Sequence, residues 1–351
     1  FFFKQKTAYE IPKRDWSSDV CSSDLIADLV PSRGSPRRHG DLPAFDRLSF
    51  ASAIAMNAPS PVGIVGLGLM GHALAERLVG AGYSVLGFDI DPAKGTALAE
   101  RGGVSASALA DVVRRCDLIF IAVFDTDQVE TVVEREILPA TGENSGKTVL
   151  CVSTCDPDRI AALAMRLKPR GLHFIEAPVS GTSAQVRRGE GVGLIGGDTN
   201  AIAGAADVLR AVFPVHIHLG PAGNGGRAKL AINLILGLNR LALAEGLVFA
   251  ERMGLDPGAF LDVARQAASY SQVMDTKGPK MVRGDFSPEG RARQTLKDVH
   301  LMLDQARKLG QELPLAALNA EVLEACVRSG DGDADNSVVI AEIRRRITQG
   351  R

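Results

Sequence analysis

Lys229 and Asn233 interrupt a long apolar stretch, and their types and spacing suit proton transfer. The stretch, 221–253, has no proline after its first residue and is predicted to form one helix of about eight turns. Residues four apart lie one turn from each other on the same helix face. A lysine buried near a helix start has a lowered pKa, because burial and the helix dipole disfavour its charged form. Such a lysine can exchange a proton with a substrate hydroxyl.

A structural lysine, whose ammonium reaches the surface along apolar neighbours, is the simpler interpretation of Lys229. Because the predicted helix is apolar on nearly every face, we expect it to be buried on all sides between two halves of the chain. A membrane span is the rival interpretation, since about 20 apolar residues suffice. Lys229, Arg240 and Glu245 lie within the stretch. Charges at that depth are expensive in lipid, so we expect no membrane association.

Length and composition indicate a globular protein with room for two domains, at 351 residues, 46% hydrophobic and 23% charged. The formal net charge of -1 gives no electrostatic reason to expect nucleic acid as a partner. The five cysteines form no CxxC pair and no His/Cys cluster. We therefore expect reduced thiols, no metal site and a cytoplasmic location.

The first 55 residues do not match the rest of the chain. Residues 1–25 resemble a translated sequencing adapter, and residues 26–55 are rich in Ser, Pro and Arg. We expect 1–55 to be a non-native or disordered extension and Met56 to be the true start. A signal or transit peptide is the alternative, but the region has no apolar core and contains scattered acidic residues.

A dinucleotide-binding fingerprint follows the first predicted strand, residues 62–65. Its first glycine allows a tight turn, its second lets the backbone approach a pyrophosphate, and its third lets helix and strand pack closely. Amides at the following helix start bind phosphate charge. The pattern predicts a Rossmann domain over 56–219. Its cofactor-binding residues are Gly66, Leu67, Gly68, Leu69, Met70 and Gly71.

Asp89 ends the next predicted strand and bears on which nucleotide is bound. A carboxylate there can hydrogen-bond the ribose hydroxyls of NAD and would repel the 2′-phosphate of NADP. No lysine or arginine follows until Lys94. The sequence therefore favours NAD over NADP.

Two further apolar runs, 116–124 and 147–154, are predicted as buried parallel strands. In open α/β sheets the ligand lies beyond the carboxyl ends of the strands, so we place Val123, Phe124 and Thr154 at the cofactor edge. Core packing is the alternative for Val123 and Phe124. For Thr154, a hydrogen bond from its hydroxyl to a turn or to a ligand is favoured over core packing.

Ser180, Gly181 and Thr182 offer two hydroxyls and unhindered backbone amides before another predicted helix. Such groups could hold a substrate carboxylate. A simple helix cap is an equally good interpretation.

Four segments together resemble, in order and spacing, the motifs of the β-hydroxyacid dehydrogenases, and the similarity spans 62–347. The resemblance implies an α/β fold with an N-terminal Rossmann domain, a mostly parallel doubly wound sheet and a long interdomain helix. It also implies an all-helical C-terminal domain, 220–351, that pairs subunits as a homodimer or homotetramer. The segments are 66–71, 176–182, 223–233 and 297–298.

The resemblance implies NAD(P)-dependent hydride transfer to or from a small β-hydroxyacid, similar to 3-hydroxyisobutyrate or 2-hydroxy-3-oxopropionate. Lys229 would donate and accept the proton, with Asn233 as its orienting partner. Ser180, Gly181 and Thr182 would bind the substrate carboxylate. Lys297 would lie beside the nicotinamide.

Glu176 and Thr182 depart from the family pattern, which usually has aspartate and glycine there, and this leaves the identity of the substrate open. An imine reductase is the nearest alternative, although such enzymes usually lack the lysine on the interdomain helix. A catalytically silent NAD-binding interaction module is the alternative from another class. A 6-phosphogluconate dehydrogenase is disfavoured, because its C-terminal part is much longer.

Overall fold

The computed structural model describes residues 60–142 and 145–346. The predicted N-terminal extension and Met56 lie outside the described residues. Most of the strands are short buried runs rich in β-branched and apolar residues, as their composition predicts. The strands are β1 (Val62–Val65), β2 (Val85–Phe88), β3 (Val104–Ser105), β4 (Leu118–Ile121), β5 (Thr148–Cys151), β6 (His173–Glu176), β7 (Val179–Ser180), β8 (Val192–Gly197) and β9 (Val215–His218).

The strands form a mostly parallel sheet in the order β3-β2-β1-β4-β5-β6-β8-β7. Strands β1 to β6 run parallel to their neighbours within this group, whereas β8 runs antiparallel to β6 and β7. Strand β9 pairs with β8 in parallel. The order 3-2-1-4-5-6 is that of a Rossmann fold, which confirms the predicted fold class.

Two apolar cores cover the two faces of the sheet. In β4, Phe120 belongs to one core and Ile119 and Ile121 belong to the other, because successive side chains of a strand point to opposite faces. Helices fill both cores. They are α1 (Leu69–Gly80), α2 (Pro92–Ala99), α3 (Leu109–Arg115), α4 (Thr126–Thr131, continued by a π-helical segment Val132–Ile137 and a turn Leu138–Ala140), α5 (Pro157–Leu167), α6 (Ser183–Arg187), α7 (Thr199–Gly204) and α8 (Ala206–Val212).

The second half of the described chain is helical and has its own apolar core. A buried ion pair also joins its elements, since the Lys277 ammonium lies 2.9 Å from the Asp335 carboxylate. The helices are α9 (Asn224–Arg252), α10 (Pro257–Gln266), α11 (Val273–Thr276), α12 (Gly278–Arg283), α13 (Ala292–Lys308), α14 (Pro314–Arg328) and α15 (Val339–Arg345), with 3-10 turns Asp331–Asp333 and Asn336–Val338.

Helix α9 corrects two expectations. It begins at Asn224 rather than at residue 221, because Gly223 adopts a left-handed conformation with φ of 97°. It is not buried on all sides, since Ile235 is 61% and Phe249 65% exposed. By length and composition α9 could cross a membrane, but Lys229 and Arg240 are buried within the protein.

Two strands end earlier than the apolar runs predict. Strand β4 stops at Ile121 and β5 stops at Cys151, so Val123, Phe124 and Thr154 lie in the turns after them. The reason is that the predicted runs continue past the last paired positions, into a partly exposed turn at 122–124 and a buried turn at 152–154. The predicted domain boundary at residue 220 falls between β9 and α9, and the division at that point stays a prediction.

Candidate active site

The glycine-rich turn between β1 and α1 has the shape required to hold a dinucleotide. Gly66 adopts φ of 91°, a conformation that favours glycine. A Cβ atom on Gly71 would lie 2.0 Å from the Gly66 carbonyl oxygen, so helix and strand approach as closely as predicted. A Cβ atom on Gly68 would meet no atom within 4 Å. The space in front of Gly68 is therefore open to a ligand, and Leu69 and Met70 follow in the first turn of α1.

Asp89 lies directly after β2 and orients the glycine-rich turn. Its carboxylate accepts a hydrogen bond from the Leu67 amide at 2.7 Å and another from the Asp91 amide at 2.9 Å. The Lys94 ammonium lies 3.1 Å from the same carboxylate. Burial raises the pKa of Asp89, but these hydrogen bonds and Lys94 outweigh it and leave the pKa below its ordinary value. Asp89 is therefore a carboxylate at the edge where a ribose would bind.

Lys297 on α13 joins the helical region to the carboxyl edge of the sheet. Its ammonium lies 5.8 Å from the centre of the Phe124 ring and donates a hydrogen bond to the Thr154 carbonyl oxygen. Gln294, one turn earlier, donates to the Phe124 carbonyl oxygen at 3.3 Å. The structure thus brings Phe124, Thr154 and Lys297 together, although Thr154 uses its carbonyl rather than its hydroxyl. Val123 lies one residue before Phe124 and is half-buried.

Lys229 lies in the second turn of α9 and is only 8% exposed. Its ammonium donates a hydrogen bond to the carbonyl oxygen of Val179, the residue before Ser180. Burial lowers the pKa of Lys229 to about 8, while the nearby Asp298 opposes this shift and Lys297 adds to it. The simpler interpretation, an ammonium at the surface, is wrong. A lysine with this pKa is partly uncharged near neutral pH and can accept a proton.

Asn233 lies one turn after Lys229, but it does not form a hydrogen bond with Lys229, the partner that was predicted. Its amide group donates a hydrogen bond to Asp298 Oδ2 at 3.1 Å. The other carboxylate oxygen of Asp298 lies 2.9 Å from the Lys297 ammonium. Asp298 therefore holds Asn233 and Lys297 in place, a role that the sequence indicated only by the adjacency of Lys297 and Asp298. Lys229 is held by Val179 instead.

In the segment 180–182, which is predicted to bind the substrate carboxylate, Thr182 caps a helix and the Ser180 hydroxyl is available to a ligand. The Thr182 hydroxyl accepts a hydrogen bond from the Gln185 amide at 3.2 Å, and the Gln185 side chain accepts one from the Thr182 amide at 2.8 Å. This is a capping box at the start of α6. Within residues 60–142 and 145–346, the Ser180 hydroxyl has no hydrogen-bond partner. Gly181 follows with φ of 140°, a conformation that favours glycine.

Glu176 is buried at the end of β6 rather than exposed to a substrate. Its carboxylate accepts a hydrogen bond from the Gly223 amide at 2.8 Å. Burial raises the pKa of Glu176 to about 7, although the backbone amides of Gly223, Gly226 and Gly225 act in the opposite direction. The sequence linked Glu176 to substrate choice and gave no indication of this contact. Only the departure from the usual aspartate marked the position.

Lys229, Asn233 and Lys297 lie around the carboxylate of Asp298. The Lys297 ammonium balances that carboxylate, and Lys229 adds a positive charge when it is protonated, which suits an anionic substrate. Ser180 directly follows Val179, whose carbonyl oxygen accepts the hydrogen bond from Lys229. A carboxylate and a hydroxyl of one small molecule could therefore be bound by adjoining groups.

Comparison with known proteins gives the family. Residues 61–220 match the domain described as "NAD binding domain of 6-phosphogluconate dehydrogenase". Residues 223–343 match the one described as "NAD-binding of NADP-dependent 3-hydroxyisobutyrate dehydrogenase". The chain is 33% identical to the L-threonate dehydrogenase of Cupriavidus necator over 280 residues, which cover 80% of this chain and 94% of that relative. The chain belongs to the β-hydroxyacid dehydrogenase family.

Other members of the β-hydroxyacid dehydrogenase family agree. The 2-hydroxy-3-oxopropionate reductase of Escherichia coli is 29% identical over 279 residues, which cover 80% of this chain and 95% of that relative. The crystal structure of 3-hydroxyisobutyrate dehydrogenase from Salmonella typhimurium has a TM-score of 0.74 and 28% identity, with coverage of 81% of this chain and 99% of that chain. These matches confirm the resemblance, and this β-hydroxyacid dehydrogenase is an NAD(P)-dependent oxidoreductase.

The alternative of an imine reductase rests on the fold alone. The structure of an imine reductase from Pseudomonas sp. has a TM-score of 0.55 and 20% identity, and it covers 81% of this chain and 99% of that chain. The buried Lys229 favours proton exchange with a hydroxyl group. The geometry of this β-hydroxyacid dehydrogenase therefore supports the hydroxyacid reaction.

Proposed function

We propose that this β-hydroxyacid dehydrogenase uses Lys229 as the general acid and base for a small β-hydroxyacid. The observation that carries the proposal is the position of the Lys229 ammonium, which is buried and bonded to the carbonyl oxygen just before Ser180. During oxidation, uncharged Lys229 takes the proton of the substrate hydroxyl at Nζ, and during reduction it returns that proton. A bound nicotinamide supplies or accepts the hydride.

The neighbouring residues orient the substrate. The Ser180 hydroxyl and the Gly181 amide bind the substrate carboxylate, and the O–H of Thr182 adds a donor while its oxygen caps α6. The Asn233 amide group is fixed by Asp298 and holds the hydroxyl-bearing end. Lys297 lies beside the cofactor edge and contributes positive charge. This positioning lowers the entropy cost of bringing the hydroxyl to Lys229.

The substrate class is a small hydroxyacid with the hydroxyl on the carbon β to its carboxylate. The relatives named for L-threonate, 3-hydroxyisobutyrate and 2-hydroxy-3-oxopropionate define a first panel of compounds. Because the Ser180 hydroxyl and the Gly181 amide offer hydrogen-bond donors to a carboxylate, the hydroxyacids of this panel should be better substrates than uncharged alcohols of similar size. Initial rates over the panel, in both directions, test this choice.

NAD is the preferred cofactor in this proposal, and NADP is less favoured. The support is the ionised Asp89, which lies beside the glycine-rich turn. Lys94 is the cation that could attract a 2′-phosphate, but its ammonium is engaged with Asp89 at 3.1 Å. A carboxylate at this place repels the extra phosphate of NADP.

A homodimer or homotetramer would cover the exposed face of α9. Between Ala231 and Phe249 of this helix, the exposed positions are three, four or seven residues apart and are mostly apolar. Such a stripe on an otherwise buried helix is typical of a surface that packs against another helix. The stripe consists of Ala231, Ile235, Ala242, Glu245 and Phe249. The cytoplasmic location stays a prediction from cysteine usage.

The decisive experiment replaces Lys229 by methionine, which keeps the length of the side chain and removes the amine. We expect turnover of every hydroxyacid to fall by roughly a hundredfold or more, with the dissociation constant of NAD changed less than about threefold. Lys280→Met is the matched control, because Lys280 is also buried but bonds Ser287 in the helical region. Turnover that survives in K229M would overturn the proposal.

The same assays separate the remaining alternatives. Reduction of cyclic imines, with no activity on hydroxyacids, would favour an imine reductase. Absence of turnover with every compound, despite NAD binding, would favour a catalytically silent interaction module. Hydroxyacid oxidation that depends on Lys229 excludes both.

A further inference from the structure

The carboxylate of Glu176 lies against the start of the helix that carries Lys229. Glu176 ends β6 and is only 2% exposed. Gly223, immediately before α9, donates its backbone amide to Glu176 Oε2 at 2.8 Å, and the backbone amides of Gly225 and Gly226 also act to lower the pKa of this carboxyl. The first amides of a helix have no partner within the helix. Because α9 has no side-chain cap of its own, Glu176 supplies the acceptors from another element.

Three glycines leave the space that the Glu176 carboxylate occupies. A Cβ atom on Gly226 would lie 2.5 Å from Oε1, and one on Gly196 would lie 2.9 Å from Oε2. A Cβ atom on Gly225 would lie 3.1 Å from Oε2. Gly196 belongs to β8, whereas the other two belong to α9. Two separate elements are therefore shaped around one side chain, and neither tolerates a larger residue without moving it.

The same short segment contacts α9 a second time. Val179, three residues after Glu176, accepts the hydrogen bond of Lys229, which is three residues after Gly226. The Glu176 contact holds the start of α9 in place, and the Val179 contact holds the helix face that carries Lys229. Ser180 follows Val179 directly. The segment 176–180 therefore links the proposed acid–base group to the proposed carboxylate loop.

We propose that Glu176 is a positioning residue that sets the distance between the Lys229 ammonium and the Ser180 loop. This inference rests on the proposed function, because it concerns the residue assigned there as acid and base. A misplacement of about 1 Å in such a pair can lower turnover about a hundredfold. Glutamate reaches one methylene further than aspartate, and this length brings its carboxyl oxygens to the Gly223 amide.

The test compares Glu176→Gln with Glu176→Asp. In E176Q one acceptor oxygen becomes an NH2 group that faces amide donors, so we expect kcat to fall about tenfold to a hundredfold. The dissociation constant of NAD should change less than about twofold, and the primary deuterium isotope effect on kcat should rise as hydride transfer becomes slower. E176D keeps the charge, and we expect it to recover at least part of the lost kcat.

Asp198→Asn is the matched control. Asp198 also caps a helix of the same domain, since its carboxylate accepts the Asn200 amide at 2.9 Å and the Ala201 amide at 3.4 Å. It has no contact with α9 among its hydrogen bonds within the described residues. D198N should lower the melting temperature and leave kcat and the isotope effect unchanged.

Two outcomes overturn the positioning role. They are an E176Q protein that is less stable but turns over within about twofold of wild type, and an equal loss of kcat in D198N. If E176Q does not fold, the test rests on E176D. A kcat and an isotope effect in E176D equal to those of wild type would show that the length of Glu176 has no role, and would overturn the proposal. Loss of turnover in K229M together with normal turnover in E176Q would remove this inference only. Turnover that survives in K229M would remove the proposed function itself.

Discussion

The ammonium of Lys229 on α9 donates a hydrogen bond to the carbonyl oxygen of Val179 on β7, 50 residues earlier in the chain. This contact joins the helix that carries the amine to the short strand that ends in Ser180. The uncharged form of Lys229 has one N–H donor fewer than the ammonium and no positive charge. This hydrogen bond is therefore weaker at a pH above the pKa of Lys229. The site is therefore sensitive to pH at this hydrogen bond.

Hydroxyacid oxidation should depend on pH through Lys229. Burial lowers the pKa of Lys229 to about 8, so the uncharged base predominates above that pH. We expect kcat/KM for oxidation to rise as the pH increases through about 8 and then to level off, and the rate of reduction to fall over the same range. Initial rates between about pH 6 and pH 10 in both directions provide the measurement. Rates without an inflection there would contradict the assignment.

Removing the charge of Asp298 should shift this profile. Asp298 acts to raise the pKa of Lys229, so its loss lowers that pKa further. The rise in oxidation rate should therefore occur at lower pH in Asp298→Asn, with a reduced maximum because Asn233 loses a charged acceptor. A shift to higher pH would show that another group controls the profile.

Alanine substitutions at Gly71 and Gly68, in the glycine-rich segment after β1, should have different effects on stability and on NAD affinity. A Cβ atom on Gly71 collides with the Gly66 carbonyl oxygen at 2.0 Å, so G71A should lower the free energy of unfolding by about 3 kcal/mol or fail to fold. A Cβ atom on Gly68 meets nothing within 4 Å, so G68A should keep its melting temperature and bind NAD at least about tenfold more weakly. Thermal unfolding and NAD titration measure both. Equal affinity in G68A would mean that the pyrophosphate lies elsewhere.

Asp89 should determine the choice between NAD and NADP. We expect the wild-type enzyme to have a higher kcat/KM with NAD. In Asp89→Asn the charge that repels a 2′-phosphate is lost, so the preference for NAD should shrink by about tenfold. Lys94→Met serves as the control, because it removes the partner of Asp89 and should strengthen rather than weaken the repulsion. A wild-type preference for NADP would contradict the proposal.

A charge in the exposed stripe of α9 should break the proposed oligomer. Ile235 is 61% exposed in the isolated chain, and Ile235→Glu would place an unpaired carboxylate in a helix–helix contact. We expect this variant to be monomeric by light scattering at concentrations where the wild type is a dimer or tetramer. Leu309→Glu is the control, since Leu309 is 80% exposed and lies outside the stripe. A wild type that is monomeric would disprove the stripe as an interface.

Local sequence was sufficient for the nucleotide half. The turn at Gly66 and the close approach at Gly71 depend on residues within one strand–turn–helix unit, so their spacing alone predicts them. Continuous apolar runs placed the central strands, although not their ends. The ends were missed because the runs continue past the last paired positions into turns, where Thr154 and Phe124 contact Lys297.

The sequence by itself determined that Lys229 and Asn233 share a helix face, because helical periodicity is a local property. Tertiary structure decided their partners. Asn233 pairs with Asp298, 65 residues away, and Glu176 meets the start of α9, 47 residues away. It also decided that one face of α9 is exposed, since burial depends on which elements surround a helix. Spacing along the chain carries no information about contacts at such separations, which form only when the two halves of the chain pack together.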